Sequence, residues 1–277
     1  MNSIDPIISV MMIVYNAERF LKDSIESILN QTFSDFEFII VNDGSTDNSY
    51  KIINEYSRKD NRILVLDNEK NLGIAESRTK CVKYAKGKYI VIADADDISA
   101  PTRFEKQYKY LEEHKKCGVV GGFIELFDSE TGKIIGLRKY NEDDVELRKR
   151  IFIYSPIAQP ASMIRKEVFD NIGFYNPEYP PAEDIDIWFR LGTKYKFANI
   201  QEVLIKYRVH RNSATIKNMY RIKNLTLQIR KKYMYEYGYS STFFDKTFLF
   251  FLKITKNIIP GNITFWIFSF FRDKNKE

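Results

Sequence analysis

Apolar and polar positions in the first hundred residues fall into alternating blocks that read as strands and helices in turn. Ile7–Val14 is an apolar run, and Asn16-Ala17-Glu18 then opens an amphipathic stretch carrying Phe20, Leu21, Ile25, Ile28 and Leu29. The Asn cap and early Glu predict a helix start there. Phe36–Val41 is a second buried-strand run, ending in the turn-rich segment Asn42-Asp43-Gly44-Ser45-Thr46-Asp47. A helix over roughly 48–59, a short strand Ile63–Leu66, a helix over roughly 73–85 and a strand Lys88–Ala93 follow. That β-α-β-α-β-α-β order with short connections predicts a parallel sheet covered by helices.

Such sheets bind ligands outside the carboxyl ends of their strands. Three polar clusters fall there, Tyr15-Asn16, Asn42-Asp43-Gly44 and Asp94-Ala95-Asp96-Asp97, and are predicted to converge on one crevice. Beyond a helix over roughly 101–116 the pattern turns less regular and more β-like, at Val119–Phe127 and Lys133–Arg138. An apolar segment at Ser162–Ile164, a short helix with Ile187, Trp188 and Leu191, and a strand Val203–Val209 complete a body spanning 1–215. The tail, 216–277, reads as helices over roughly 216–236, 241–257 and, past Pro260-Gly261, 262–271.

Charge divides the chain at the same point. The tail holds 12 Lys and Arg against 4 Asp and Glu, whereas the body holds 31 against 33, so the net +6 says little about what the body binds. The tail also carries 15 of the 41 aromatic residues, with Lys246, Lys253, Lys256 and Arg272 interspersed. Basic residues beside aromatic faces suit helices lying on an anionic membrane surface. The alternative is a helical subdomain packed on the body or on a second subunit. No apolar run reaches the ~20 residues a spanning helix needs. The first residues lack the layout of a secretory signal, and Cys81 and Cys117 are too few for a disulfide framework or a cysteine-rich zinc site. The expectation is a cytoplasmic protein, peripheral on the inner face of a membrane.

Asp94, Asp96 and Asp97 directly follow an apolar strand, and three carboxylates in four residues repel one another unless a cation or hydrogen bonds compensate. Oxygen ligation suits Mg²⁺ or Mn²⁺ shared with substrate phosphates. A solvated acidic turn before the next helix is the plainer account. Asp43 at a strand end suits hydrogen bonds from a base or ribose, or an Asx turn in which Ser45 or Asp47 caps the next helix. Glu183-Asp184, with Asp186 and Trp188 close behind, reads as a helix N-terminus or as a general base. His114 lies on a charged helix face, whereas His210, among Arg208, Arg211 and Ser213, is placed to complete a metal shell or contact a phosphate. There is no Ser-His-Asp order, P-loop or Cys/His ligand spacing.

Six segments in register resemble the family 2 glycosyltransferases: SVMMIVYN (9–16), NQTFSDFEFIIVNDGSTD (30–47), NLGIAESR (71–78), GKYIVIADADDISAP (87–101), AEDIDIWFRL (182–191) and YRVHRNS (207–213). The form of the last three is closest to bacterial enzymes that build lipopolysaccharide and capsule chains. Ile13 stands where many relatives have Pro, a change that removes no chemistry.

The resemblance implies a GT-A nucleotide-sugar fold, α/β with a mixed, mainly parallel sheet, followed by the helical extension. It implies transfer of a hexose or N-acetylhexosamine from a UDP-sugar, with inversion, to a hydroxyl of a lipid-linked or lipopolysaccharide glycan. Tyr15, Asp43, Arg78 and Asp94 would hold the nucleotide. Asp94 and Asp96, with His210, would hold Mn²⁺ or Mg²⁺, Asp97 would brace the loop, and Asp184 would be the base with Glu183 beside it. Two other classes compete. A nucleotidyltransferase also pairs carboxylates around a metal, but the first strand lacks its basic glycine-rich loop. A nucleic-acid binder should show a basic body, and this one is not basic.

Overall fold

A computed structural model describes residues 5–210, 213, 217–236, 239 and 241–255. The first half alternates as the pattern predicts: β1 (Ile8–Val14), α1 (Leu21–Leu29), β2 (Phe36–Asn42), α2 (Ser49–Ser57), β3 (Ile63–Asp67), α3 (Ile74–Tyr84) and β4 (Tyr89–Asp94). There follow β5 (Ile98–Ser99), α4 (Arg103–Glu113), β6 (Cys117–Asp128), β7 (Ile134–Arg138), α5 (Asp144–Lys149), β8 (Met163–Arg165), α6 (Lys166–Ile172), α7 (Glu183–Gly192) and β9 (Lys196–Val209). Two tail helices close the described chain, α8 (Met219–Glu236) and α9 (Phe243–Thr255).

The strands form one sheet in the order β3-β2-β1-β4-β8-β6-β9-β5, with β7 paired to β6. β1 to β4 run parallel, whereas β8 is antiparallel to both neighbours and β5 to β9. The parallel register aligns the carboxyl ends: Val14 lies opposite Asn42, Asn42 opposite Asp67, and Ile13 opposite Asp94. The polar clusters therefore emerge along one edge.

Helices cover both faces, which explains why the parallel strands read as unbroken apolar runs. Successive side chains point to opposite faces. Met11, Ile39, Ile90 and Ile92 join the core under α3, α7 and the tail helices, while Val10, Met12, Phe38, Ile40 and Val91 join the core under α1, α2 and α4.

Local chemistry moves two details away from the sequence pattern. Asn16 does not cap α1, which begins at Leu21. It takes a left-handed backbone, φ 51°, which Asn tolerates better than most residues. Its Oδ1 accepts from the Thr46 N–H at 2.8 Å, and its own N–H donates to Ser45 Oγ at 3.1 Å. Two short helices, α5 and α6, were not foreseen. Their six and seven residues are too few for a helical period to register.

Buried residues of the tail, among them Leu227, Ile229, Tyr233, Phe248, Leu249 and Leu252, belong to the same core as Ile187, Trp188 and Phe189 of α7. The outer face of α9 is aromatic, with Phe243, Phe244, Phe250 and Phe251 all exposed, Phe243 to 83%. The predicted helix over 262–271 lies outside the described residues. Among those described, no helix is long and apolar enough to cross a membrane.

Candidate active site

β4 ends at Asp94, and the chain turns through Asp96 and Asp97 into β5, which pairs with β9. That pairing brings Arg208 and His210 onto the acidic turn. The Arg208 N–H donates to Asp97 Oδ1 at 2.9 Å, and its Nε donates to the Asp96 carbonyl at 2.8 Å. The guanidinium lies over the Phe20 and Phe127 rings and reaches Asp23. His210 Nε2 lies 2.9 Å from Asp96 Oδ2, its ring edge-on to Phe20. Asp97 is buried, and its carboxyl is pushed well above the usual range by burial, then by Asp96 and Asp94. Through the Arg208 N–H it ties the turn to β9.

Arg78, one turn into α3, links this turn to α7. Nη1 donates to Glu183 Oε1 at 2.5 Å, Nη2 lies 3.6 Å from Asp94 Oδ1, and the Tyr175 ring covers the guanidinium. Both Arg78 and Glu183 are buried. The Asp94 side chain is about a third open to solvent. Burial pushes its carboxyl up to about 6, Arg78 opposes this, and Asp96 and Glu183 add to it.

Asp184 lies in the first turn of α7, where its Oδ1 accepts the Ile185 N–H at 2.8 Å. Burial first, then the neighbouring Glu183, pushes its carboxyl up to about 7, against the pull of Arg78 and the backbone donors. A carboxylate titrating near neutrality is matched to taking a proton from a hydroxyl.

Asp43 directly follows β2. It is buried, and its carboxylate is engaged by the chain: Oδ1 accepts from Asn68 Nδ2, the Leu72 N–H and Ser77 Oγ at 2.8–2.9 Å, and Oδ2 accepts from the Gly73 N–H at 3.0 Å. It thereby pins the loop that leads into α3 and Arg78. The adjoining turn needs Gly44, at φ 69°, because a Cβ there would fall 2.6 Å from the backbone at Lys70 and Asn71. Tyr15 stands half-exposed at the end of β1.

Three contributors were not singled out from the sequence. Asn68 and Ser77 lie inside or beside a motif read only as a whole. Arg103 is a buried cation beneath the acidic turn, donating to Ser99 Oγ and to the Ile92 and Ser162 carbonyls. Burial pulls it down to about 9, against the opposing effect of Asp94 and Asp97. An Arg in a helix start gives no sequence signal of burial.

The donor set beside Asp94 is rich in carboxylate oxygen, which fits a hard divalent cation. Among the described residues no group of three or more such side chains is already gathered about a metal position. Phosphate oxygens of a ligand would have to complete the shell.

A curled, mostly parallel sheet with helices on both faces is the fold of the GT-A glycosyltransferases. The fold is shared with Staphylococcus aureus TarS 1–349 in complex with UDP-GlcNAc (TM-score 0.69, 18% identity, 90% of this chain and 72% of that one). It is shared too with the mannosyltransferase PcManGT from Pyrobaculum calidifontis in complex with GDP-Man and Mn²⁺ (TM-score 0.66, 14% identity, 92% and 71%). The chain belongs to glycosyl transferase family 2, whose model matches residues 9–173. It is 37% identical over 238 residues to an uncharacterized glycosyltransferase of Methanocaldococcus jannaschii, covering 84% of this chain and 77% of that protein. It is 34% identical over 215 residues to the O-antigen biosynthesis glycosyltransferase WbnJ of Escherichia coli, covering 74% and 81%.

Proposed function

We propose that the protein transfers a hexose or N-acetylhexosamine from a UDP-sugar to a hydroxyl of a lipid-linked or lipopolysaccharide-type glycan, by a single displacement that inverts the anomeric centre. The observation that carries this reading is the Arg78 bridge, which joins the acidic turn at Asp94 to the helix bearing the near-neutral Asp184. TarS with UDP-GlcNAc and the O-antigen relative support the donor and acceptor classes.

Asp184 takes the acceptor hydroxyl proton as that oxygen attacks the anomeric carbon. Glu183 holds Arg78, and Arg78 keeps positive charge beside Asp94. Tyr15, Asp43, Arg78 and Asp94 line the nucleotide side, and Asp43 also pins the loop that leads into α3. Asp94 and Asp96, with His210 beside them, would hold Mn²⁺ or Mg²⁺ against the diphosphate. Such a cation would offset the charge building on the leaving UDP. The Mn²⁺ complex of PcManGT supports a metal of this kind. The exposed phenylalanines of α9, with the basic tail, support peripheral contact with an anionic membrane.

The test is a thermal-shift panel of UDP-glucose, UDP-galactose, UDP-GlcNAc, UDP-GalNAc, GDP-mannose and UDP, each with Mn²⁺ and with EDTA. A ligand that binds the native state raises its melting point. Mn²⁺-dependent stabilisation by uridine nucleotides is expected. A shift with GDP-mannose alone would overturn the donor, and no shift with any nucleotide would overturn the reading.

A further inference from the structure

The tail helix α8 reaches the helix that carries Asp184. The Tyr233 hydroxyl donates to Asp186 Oδ1 at 2.8 Å, and both residues are buried. The other oxygen of Asp186 accepts from Arg190 at 2.8 Å, and Arg190 in turn donates to the carbonyls of Ile172 and Phe174. The Tyr233 ring stacks on Phe189, with centroids 4.6 Å apart and planes at 4°. Tyr239 donates to the Phe189 carbonyl at 2.7 Å. Arg230, one turn before Tyr233, is buried within electrostatic reach of Asp184 and Asp245.

Residues two apart on a helix point about 200° apart. Asp186 is held by α8 through Tyr233, and Asp184 leaves the same helix two residues earlier, so a clamp on one sets the aim of the other. We propose that α8 is a working part of the active site, with Tyr233 a positioning residue that fixes the rotation of α7, and so the Asp184 carboxylate, through Asp186. This rests on Asp184 being the base. The tail is then needed for turnover whether or not it also meets a membrane.

Tyr233→Phe removes one oxygen and keeps the stacked ring. The charged and titratable groups around Asp184 stay in place: Glu183 on its own helix, Arg78 on α3, Tyr175 before α7 and Arg230 on α8. Asp186 keeps Arg190 but loses a donor. The variant should lose about tenfold in kcat through misalignment, with KM for the UDP-sugar unchanged. The acid limb of its pH–kcat profile should move upward, because more uncompensated negative charge sits two residues from the base. The double variant with Asp186→Ala should lose little more than Asp186→Ala alone, since the bond that Tyr233→Phe removes is already gone there. Wild-type kcat and pH profile with only a lower melting point would overturn the proposal, and so would additive losses. Asp184→Asn, run alongside, separates the two readings: if it transfers sugar normally, the base assignment fails first.

Discussion

Arg78 on α3 and Glu183 on α7 meet at 2.5 Å across 105 residues of sequence, and both are buried. A buried pair of this kind contributes little net stability compared with an apolar pair, but removing one partner strands the other. Arg78→Met should therefore cost about 3–5 kcal/mol in urea unfolding, and adding Glu183→Gln should recover much of it. Unchanged stability in the single variant would show that Glu183 finds another partner. Activity should be lost in both, because neither restores positive charge beside Asp94.

The Asp184 carboxyl sits at about 7, so below that pH it holds the proton it must be free to accept. Transfer should rise with pH through this range and level off above it. Asp184→Asn should reduce kcat by about 10²–10⁴-fold while UDP-sugar binding persists. Loss of binding instead, read by calorimetry, would mean that Asp184 belongs to the donor pocket.

The parallel half of the sheet was legible because both its faces are buried, which writes each strand as an apolar run such as Phe36–Val41. The helices α5 and α6 and the two-residue β5 were not, being shorter than a period. The acidic turn and Asp184 could be named from motifs, but their connection could not. It depends on Arg78, whose partners lie 16 and 105 residues away, and periodicity carries no information about pairs so separated. Asp43 is a second case: its motif is visible in the sequence, whereas the donors that engage its carboxylate, Asn68, Leu72, Gly73 and Ser77, lie 25–34 residues further along the chain.

Stability should depend on pH with a definite sign. The carboxyls of Asp94 and Asp184 titrate near 6 and 7 in the folded chain, above the ~4 of an unfolded Asp. The native state therefore keeps protons that the unfolded chain has released. Their favourable contribution is complete below about pH 4 and is lost as pH rises through 6 and 7. Urea midpoints of wild type should fall relative to those of Asp184→Asn between about pH 5 and 8. A parallel pair of curves would place the Asp184 carboxyl in the ordinary range.

Removing the metal-side carboxylate should act on binding before chemistry. Asp96 Oδ2 is held by His210, so His210→Asn leaves the carboxylate in place but without its partner. Asp96→Ala should abolish Mn²⁺-dependent stabilisation by UDP, and His210→Asn should weaken it by about 10–100-fold, the usual effect of losing a group that orients a ligand. Equal UDP affinity with Mn²⁺ and with EDTA in wild type would remove the metal from the account.

The outer face of α9 offers the last test. Phe243, Phe244, Phe250 and Phe251 share that face, while Phe248, Leu249 and Leu252 point into the core. Replacing Phe243 and Phe250 by Ser should leave the fold intact, because neither side chain is packed. Each large apolar side chain kept out of water is worth about 1.5–3 kcal/mol, so losing two should weaken partition onto anionic vesicles by at least tenfold. Cosedimentation with vesicles rich in an anionic phospholipid measures it, with neutral vesicles as control. Unchanged sedimentation would assign the face to protein contacts. Activity on a soluble acceptor should stay at the wild-type level, since Tyr233, Asp186 and Asp184 are untouched.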